Sequence, residues 1–282
     1  MNKDKKINVE DLEWTYLEGD GDFRSAEVMK LREEADIIIT NPPFSLFREF
    51  LAWIVSAKKE FLILGNMNAV SYKDVFPLIK DNEMWLGVTR TGVGSMWFLL
   101  SDGAPKKTGQ KVTDGHRFQT VGSSAWFTNL DHGRRHRPLS LMTMADNLKY
   151  SRHKQIKGKK KYEKYDNYDA IEVPYTDAIP SDHDGVMGVP ISFLSKYNPE
   201  QFEILGATQR GCHDLVPDFK KYDEYWEVKP DGTPTGSSGG KTNENANLEG
   251  NDGKKNYFIN KEGHVIQSAY QRIFLRHRKA SK

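Results

Sequence analysis

The most constraining feature of this chain is an abrupt change of pattern across residues 36–55. Residues 36–40 read DIIIT, an uninterrupted β-branched run of the kind that suits a strand buried on both faces. Asn41-Pro42-Pro43 follows and ends regular structure, because proline lacks the N–H and restricts the residue before it. Beyond the prolines, Leu46, Phe47, Phe50, Leu51, Ile54 and Val55 recur at the i, i+3, i+4 spacing of a helix with one apolar face. Ser45 is placed to cap it. A strand, a rigid turn and an amphipathic helix in so short a span exclude an all-helical or an all-β chain.

The alternation continues on both sides. Upstream, residues 14–18 alternate well enough for a short strand, GDGD (19–22) signals a turn, and residues 23–35 suit a helix capped by Ser25. Downstream, residues 61–65 (FLILG) read as a buried strand. Residues 71–80 read as a short helix interrupted at Pro77. Residues 84–88, 95–100 and 123–130 read as further strands. Strand, helix, strand, helix and then a strand-rich end is the order of an open α/β sheet with an antiparallel edge. Strand-like pieces recur within residues 186–206 and at 270–278. Residues 230–256 are Gly, Ser, Asn and Thr with little to bury, which predicts a flexible loop.

Charge matters by its placement. Across the 282 residues, Lys+Arg 41 against Asp+Glu 39 leaves a net charge of only +2, which announces no partner. Between His132 and Tyr165, however, the basic residues include Arg134, Arg135, Arg137, Lys159, Lys160 and Lys161, opposed only by Asp146 and Glu163. With Tyr150, Tyr162 and Tyr165 interleaved, this segment has the composition of a phosphate-contacting surface. The lone Cys212 excludes an internal disulfide and a cysteine-rich metal site, and fits a reducing cytoplasm. No apolar run approaches the roughly 18 residues that span a bilayer.

Asn41-Pro42-Pro43-Phe44 carries the chemistry. At the carboxyl end of a strand it occupies the place where open α/β sheets bind ligands. The exocyclic amine of adenine is a poor nucleophile because its lone pair is delocalised into the ring. An amide oxygen and a neighbouring main-chain carbonyl that both accept from it favour a pyramidal nitrogen with its lone pair directed outward. Asn41 supplies the first acceptor and the Pro42 carbonyl the second. The prolines preorganise both, and Phe44 offers a face on which an extruded base can stack.

The segment DIIITNPPFSLFREF resembles motif IV of the amino-group DNA methyltransferases. More narrowly, DGDFRS, TNPPFSLFREF, FLILGNMNAVSYKDVFPLIK, WFTNLDHGRR and GVMGVPISFLSKYNPEQFEILG resemble the EcoRI-type adenine-specific DNA methyltransferases, from about Leu17 to Gly206 with an echo at RIFLR (272–276). The resemblance implies an S-adenosylmethionine-dependent N6-adenine methylase of restriction–modification type, acting on double-stranded DNA by base flipping and direct in-line displacement. Asn41, Pro42, Pro43 and Phe44 then match the catalytic motif. Asp22 and Phe23 match the pair in which a carboxylate meets the cofactor's adenine amine and a ring packs beside it. Gly65-Asn66-Met67-Asn68 would shape the pocket, and Trp126 and Phe127 would flank the extruded base.

These methylases cradle the methionine part of the cofactor in a glycine-rich turn, and no such turn precedes Asp22 in this sequence. The expected fold is therefore α/β: an open, mostly parallel, Rossmann-like sheet, incomplete at its N-terminus, with an α+β target-recognition region. Residues 1–131 would form the partial catalytic core and residues 132–282 would recognise DNA. A missing segment or second subunit would supply the cofactor turn. The competing expectation is a non-catalytic DNA-binding remnant, or the partner subunit of a split methyltransferase. Asp182-His183-Asp184 as metal ligands and Cys212-His213 as a nucleophile–base pair are weaker candidates, since sequence neighbours seldom face one target. No metal is expected.

Overall fold

The structure, a computed structural model, describes residue 13 and residues 16–88, 97–101, 103–107, 109–120, 123–208 and 219–279. The N-terminal elements are α1 (Ala26–Glu34), β1 (Ile37–Thr40), α2 (Phe47–Ser56), β2 (Glu60–Asn66), α3 (Phe76–Lys80), β3 (Trp85–Leu86), β4 (Trp97–Leu99), β5 (Gln110–Thr113), β6 (His116–Thr120) and β7 (Ser124–Thr128). Then come α4 (Met144–Tyr150), β8 (Ala170–Glu172), β9 (Val186–Pro190), β10 (Phe202–Ala207), β11 (Tyr225–Val228), β12 (Pro234–Ser238), β13 (Asn247–Glu249), β14 (Tyr257–Asn260), β15 (Val265–Ser268) and β16 (Arg272–His277).

The helices begin where their caps stand. Ser25 Oγ accepts from Val28 N at 3.2 Å and opens α1. In α2 the i, i+3, i+4, i+7 set Phe47, Phe50, Leu51 and Ile54 is buried. Pro77 does not interrupt α3 but lies in its first turn, where its missing N–H costs no hydrogen bond.

Among the described residues the first sheet has the order β1-β2-β7-β3. Only β1 and β2 run parallel, and β7 is antiparallel to both β2 and β3. The mostly parallel sheet expected from the sequence is therefore corrected to a mixed one. Parallel pairing needs a crossover, and α2 supplies it between β1 and β2 alone.

The burial of β1 is corrected as well. It is an edge strand with Ile37 44% and Ile39 66% exposed, and the neighbouring α1 buries no residue. Trp14 and Thr15 lie outside the described residues, and Tyr16–Glu18 form no strand. Ser95 and Met96 also lie outside them, and the strand expected there is seen as β4. It joins β6 and β5 in a small sheet that the sequence reading missed.

The C-terminal half holds two sheets, β10-β16-β9-β8 and β12-β11-β14-β15-β13. β16 is central and buried along most of its length. Its Arg272 pairs with Glu172 of β8 at 2.6 Å, and the Tyr165 hydroxyl donates to the same carboxylate. Burial, followed by the Glu172 charge, holds that phenol protonated.

Residues 230–256 are not the flexible loop expected from their composition. β12 pairs with β11, β13 pairs with β15, and Thr242, Ala246 and Asn247 are fully buried. Gly239 permits this by close approach, since a Cβ there would lie 2.2 Å from the Tyr225 carbonyl oxygen.

One core cluster runs from Phe23, Phe47 and Phe127 into Ile171, Phe202 and Leu275. The halves divided at residue 131 thus share apolar contacts across that point. No helix among the described residues is long and apolar enough to cross a membrane.

Candidate active site

β1 ends at Thr40 and delivers Asn41 to the surface, while Pro42 beneath it is buried. Pro43 has φ −55° and ψ 126°, within what its ring allows. Its carbonyl accepts from Leu46 N at 2.9 Å, which winds Phe44–Leu46 into a 3-10 turn leading to α2. Among the described residues, neither the Asn41 amide nor the Pro42 carbonyl engages in a hydrogen bond. Phe44 leaves 44% of its surface exposed. Two adjacent acceptors and an open aromatic ring therefore occupy one rigid corner.

What fixes that corner is packing behind it. Phe47 lies against Phe127 with ring centroids 5.1 Å apart. Gly65 of β2 makes room, because a Cβ there would lie 2.3 Å from Phe47 Cε2. The α2 start, β2 and β7 are thus locked together. Phe127, 0% exposed, serves this core and is not available to flank a base. Trp126 is half-buried on the other side of β7, against Gly87. In the segment 65–68, Asn66 Oδ1 accepts from Asn68 N at 2.9 Å and caps a 3-10 turn.

Asp22 lies beside this corner through two contacts. Phe23 meets Phe50 of α2 edge-on at 5.2 Å, and Arg24 bridges the Asp22 carboxylate (2.7 Å) to Glu49 of α2 (3.6 Å). Hydrogen bonds from the Arg24 guanidinium, then from its backbone N–H, hold Asp22 down at about 2, so it is ionised at neutral pH. Oδ1 takes the Arg24 N–H and Nε, and Oδ2 takes Nη2. One lone pair of Oδ2 remains for an incoming amine. Phe23, 8% exposed, is a core ring with little face left for a cofactor. Arg24, which links the two motifs, was missed in the sequence, although an arginine two residues after an aspartate is the visible sign of such a clamp.

The basic segment divides. Arg135 is a correction to the expected phosphate surface: it is 8% exposed, lies 3.5 Å from the centroid of the Trp85 ring, bonds Asn82 and faces Asp131 at 3.7 Å. Arg134 donates to the Val88 carbonyl at 2.6 Å. Arg137, Lys160 and Lys161 are exposed and make no ion pair among the described residues. Lys159 pairs with Glu163 at 2.8 Å. Of the interleaved tyrosines, Tyr162 and Tyr165 are buried and Tyr150 is 59% exposed.

His136 sits between Glu200 (2.8 Å) and Asp131 (2.9 Å). Those two hydrogen bonds raise its pKa above the ordinary 6.5. Asp182 accepts from the Met144 N–H at 2.7 Å, and burial lowers the pKa of His183. Among the described residues no cluster of three His, Cys, Asp or Glu could hold a metal. Cys212 and His213 lie outside the described residues.

A family profile described as "Adenine-specific methyltransferase EcoRI" matches residues 1–278. The chain is similar to the Type II methyltransferase M.EcoRI of Escherichia coli, 44% identical over 203 residues that cover 71% of this chain and 59% of that protein. It is also similar to the Type II methyltransferases M.MgeORF184P of Mycoplasma genitalium (40% identity, 68% and 58% coverage) and M.MpnI of Mycoplasma pneumoniae (39%, 67% and 57%). The matches span less than two thirds of the length of these relatives. No solved structure matches the chain. A profile match across nearly the whole sequence, with relatives of this identity, makes the chain a member of the EcoRI family of adenine-specific methyltransferases.

Proposed function

We propose that this chain is a site-specific DNA adenine N6-methyltransferase of restriction–modification type, with S-adenosylmethionine as the methyl donor. One observation carries the reading: the uncommitted acceptors of Asn41 and Pro42 side by side at the end of β1. A 6-amino group donating to both has its hydrogens directed inward and its lone pair outward. The extruded purine stacks on the exposed ring of Phe44. The names of the relatives support the same reaction class. Arg134, Arg137, Lys160 and Lys161 contact DNA phosphates, Lys159 is held by Glu163, and Arg135 braces the segment from inside. The reaction belongs in the cytoplasm, with double-stranded DNA.

The described residues fit the donor only in part. Asp22 keeps one lone pair of Oδ2 for its adenine amine, Phe23 is spent on the core, and no glycine turn cradles its methionine end.

A second reading is favoured by the outer edge of β1, which pairs with no strand among the described residues and exposes Ile37 and Ile39. An apolar edge strand presents unpaired N–H and C=O groups to another strand. On this reading the chain acts with a segment or subunit that brings the cofactor turn, or is the DNA-binding remnant of such an enzyme.

The test is transfer of tritiated methyl groups from S-adenosylmethionine to double-stranded DNA, with nucleoside analysis of the product. N6-methyladenine formed by the wild type and not by Asn41→Ala is the expected result. Methyl groups on cytosine, or undiminished transfer by Asn41→Ala, would overturn the proposal. DNA binding with no transfer and no calorimetric signal for S-adenosylmethionine selects the second reading.

A further inference from the structure

A groove with a cavity volume of about 830 Å³ opens between the β10-β16-β9-β8 sheet and the five-stranded sheet. The target-base corner at Asn41–Phe44 makes no use of it, although Lys159 and Lys161 of the basic segment line it. Its size falls within the roughly 300–1,000 Å³ that encloses a whole small ligand. The Glu172–Arg272 pair lies at its floor and is internally neutralised.

The other carboxylates of the groove are committed. Glu163 is tied to Lys159 at 2.8 Å. Asp252 accepts from Gln267 Nε2 and from the Lys254 N–H, both at 2.9 Å. Lys161 and Lys255 are exposed and make no ion pair among the described residues. The lining sets Lys159, Lys161, Lys255 and Arg272 against Glu163, Glu172 and Asp252, so a ligand entering here meets a net positive charge of one.

Tyr270 is 73% exposed, unusual for so large a ring, and Lys255 Nζ stands 4.5 Å from its centroid. The exposed amide of Gln155, another lining residue, has no partner among the described residues and offers a donor and an acceptor together. An aromatic surface for stacking, an amide that can read a polar edge and free cations for an anion are the complement of one nucleotide.

We propose that this groove binds a single nucleotide unit, with its base on Tyr270 and its phosphate at the rim formed by Lys161 and Lys255. The unit is either an unstacked nucleotide of a DNA strand or a free nucleotide. The strand source deepens the DNA-binding reading above and rests on it; the free-nucleotide source does not.

Three probes separate these outcomes: a fluorescein-labelled 12-mer of single-stranded DNA, 2′-deoxyadenosine monophosphate followed by calorimetry, and a labelled 30-base-pair duplex. Tyr270→Ala is expected to weaken the 12-mer or the mononucleotide by about tenfold, the scale of one base–aromatic stack. Tyr270→Phe should retain binding, because the ring and not the hydroxyl stacks. Lys161→Ala with Lys255→Ala should weaken the same probe and flatten its salt dependence. Loss of the 12-mer alone identifies the strand, and loss of the mononucleotide alone identifies a free nucleotide. No binding of either probe to the wild type, or equal binding by wild type and Tyr270→Ala, overturns the groove proposal. Duplex binding judges the DNA-binding reading separately, since it survives a failed groove and is absent if that reading is wrong.

Discussion

Asn41 and Asn247 carry the same side chain in opposite settings. Asn247 is 0% exposed. Its Nδ2 donates to the carbonyls of Thr242 (2.7 Å) and Asn245 (3.2 Å), its Oδ1 accepts from Ser268 Oγ (2.7 Å), and its N–H donates to Asn167 Oδ1 (2.9 Å). Every polar atom is committed, as buried amides require. Asn41 is exposed, sits before two prolines, and its amide bonds to no described residue. An amide whose partners are all internal holds a fold together. An amide kept rigid and left open is available to a ligand.

That contrast predicts a double dissociation. The largest effect is expected for Asn41→Ala: methyl transfer in the assay above should fall by about 10²–10³, the scale of one lost preorganised group at a reacting centre. Its melting temperature and urea midpoint should match the wild type. Asn247→Ala should do the reverse. It strands the buried Thr242 carbonyl and removes the acceptor of the half-buried Ser268 hydroxyl, and urea unfolding should show a loss of about 2–3 kcal/mol. If Asn41→Ala unfolds more readily than Asn247→Ala, Asn41 is a structural residue and the contrast fails.

Asparagine settings also show where sequence reading reaches and where it stops. The turn at 41–44 was legible because its cause is local: prolines end β1 and an apolar period starts α2, and all the residues responsible lie within one short span. Residues 230–256 were misread because the partners of their amides are remote; Asn247 bonds Asn167, eighty positions away. The runs DIIIT and RIFLR look alike in sequence. One is the exposed edge strand β1 and the other the buried central β16, because among the described residues β16 finds β9 and β10 on its two sides while β1 has β2 alone. In the site, Asp22 and Phe23 were identified as a pair, yet packing divides them. The ring belongs to the core and only the carboxylate faces outward. Burial of Arg135 under Trp85 was likewise invisible, since charge counting assumes that every cation reaches water.

The basic segment offers a smaller test of the same distinction between committed and open groups. Replacing Lys159, Lys160 and Lys161 together by alanine should reduce the slope of log K against log salt for duplex binding by about 2 and not 3, because each free lysine releases about 0.9 counterion and Lys159 is already paired with Glu163. Arg135→Ala should leave that slope unchanged while lowering stability, since the guanidinium is stacked inside. A slope reduced by Arg135→Ala would return that residue to the interface.

The smallest expected effect is the pH response of the Asp131–His136–Glu200 bridge. Both carboxylates hold the proton on His136, so its folded pKa lies above the unfolded value of 6.5. The cation's contribution to stability is complete below about pH 6.5 and is lost as pH rises through the raised folded value. Asp131 does not confuse the window, because the His136 hydrogen bond lowers its own pKa below 3.8. Urea midpoints measured from pH 6 to 9 should therefore decline slightly more for the wild type than for His136→Ala. The ring is partly open to water, 42% exposed, and screening keeps the difference small. Parallel declines for the two proteins would show that the histidine proton is not held by its neighbours, and that proximity alone does not make a group committed.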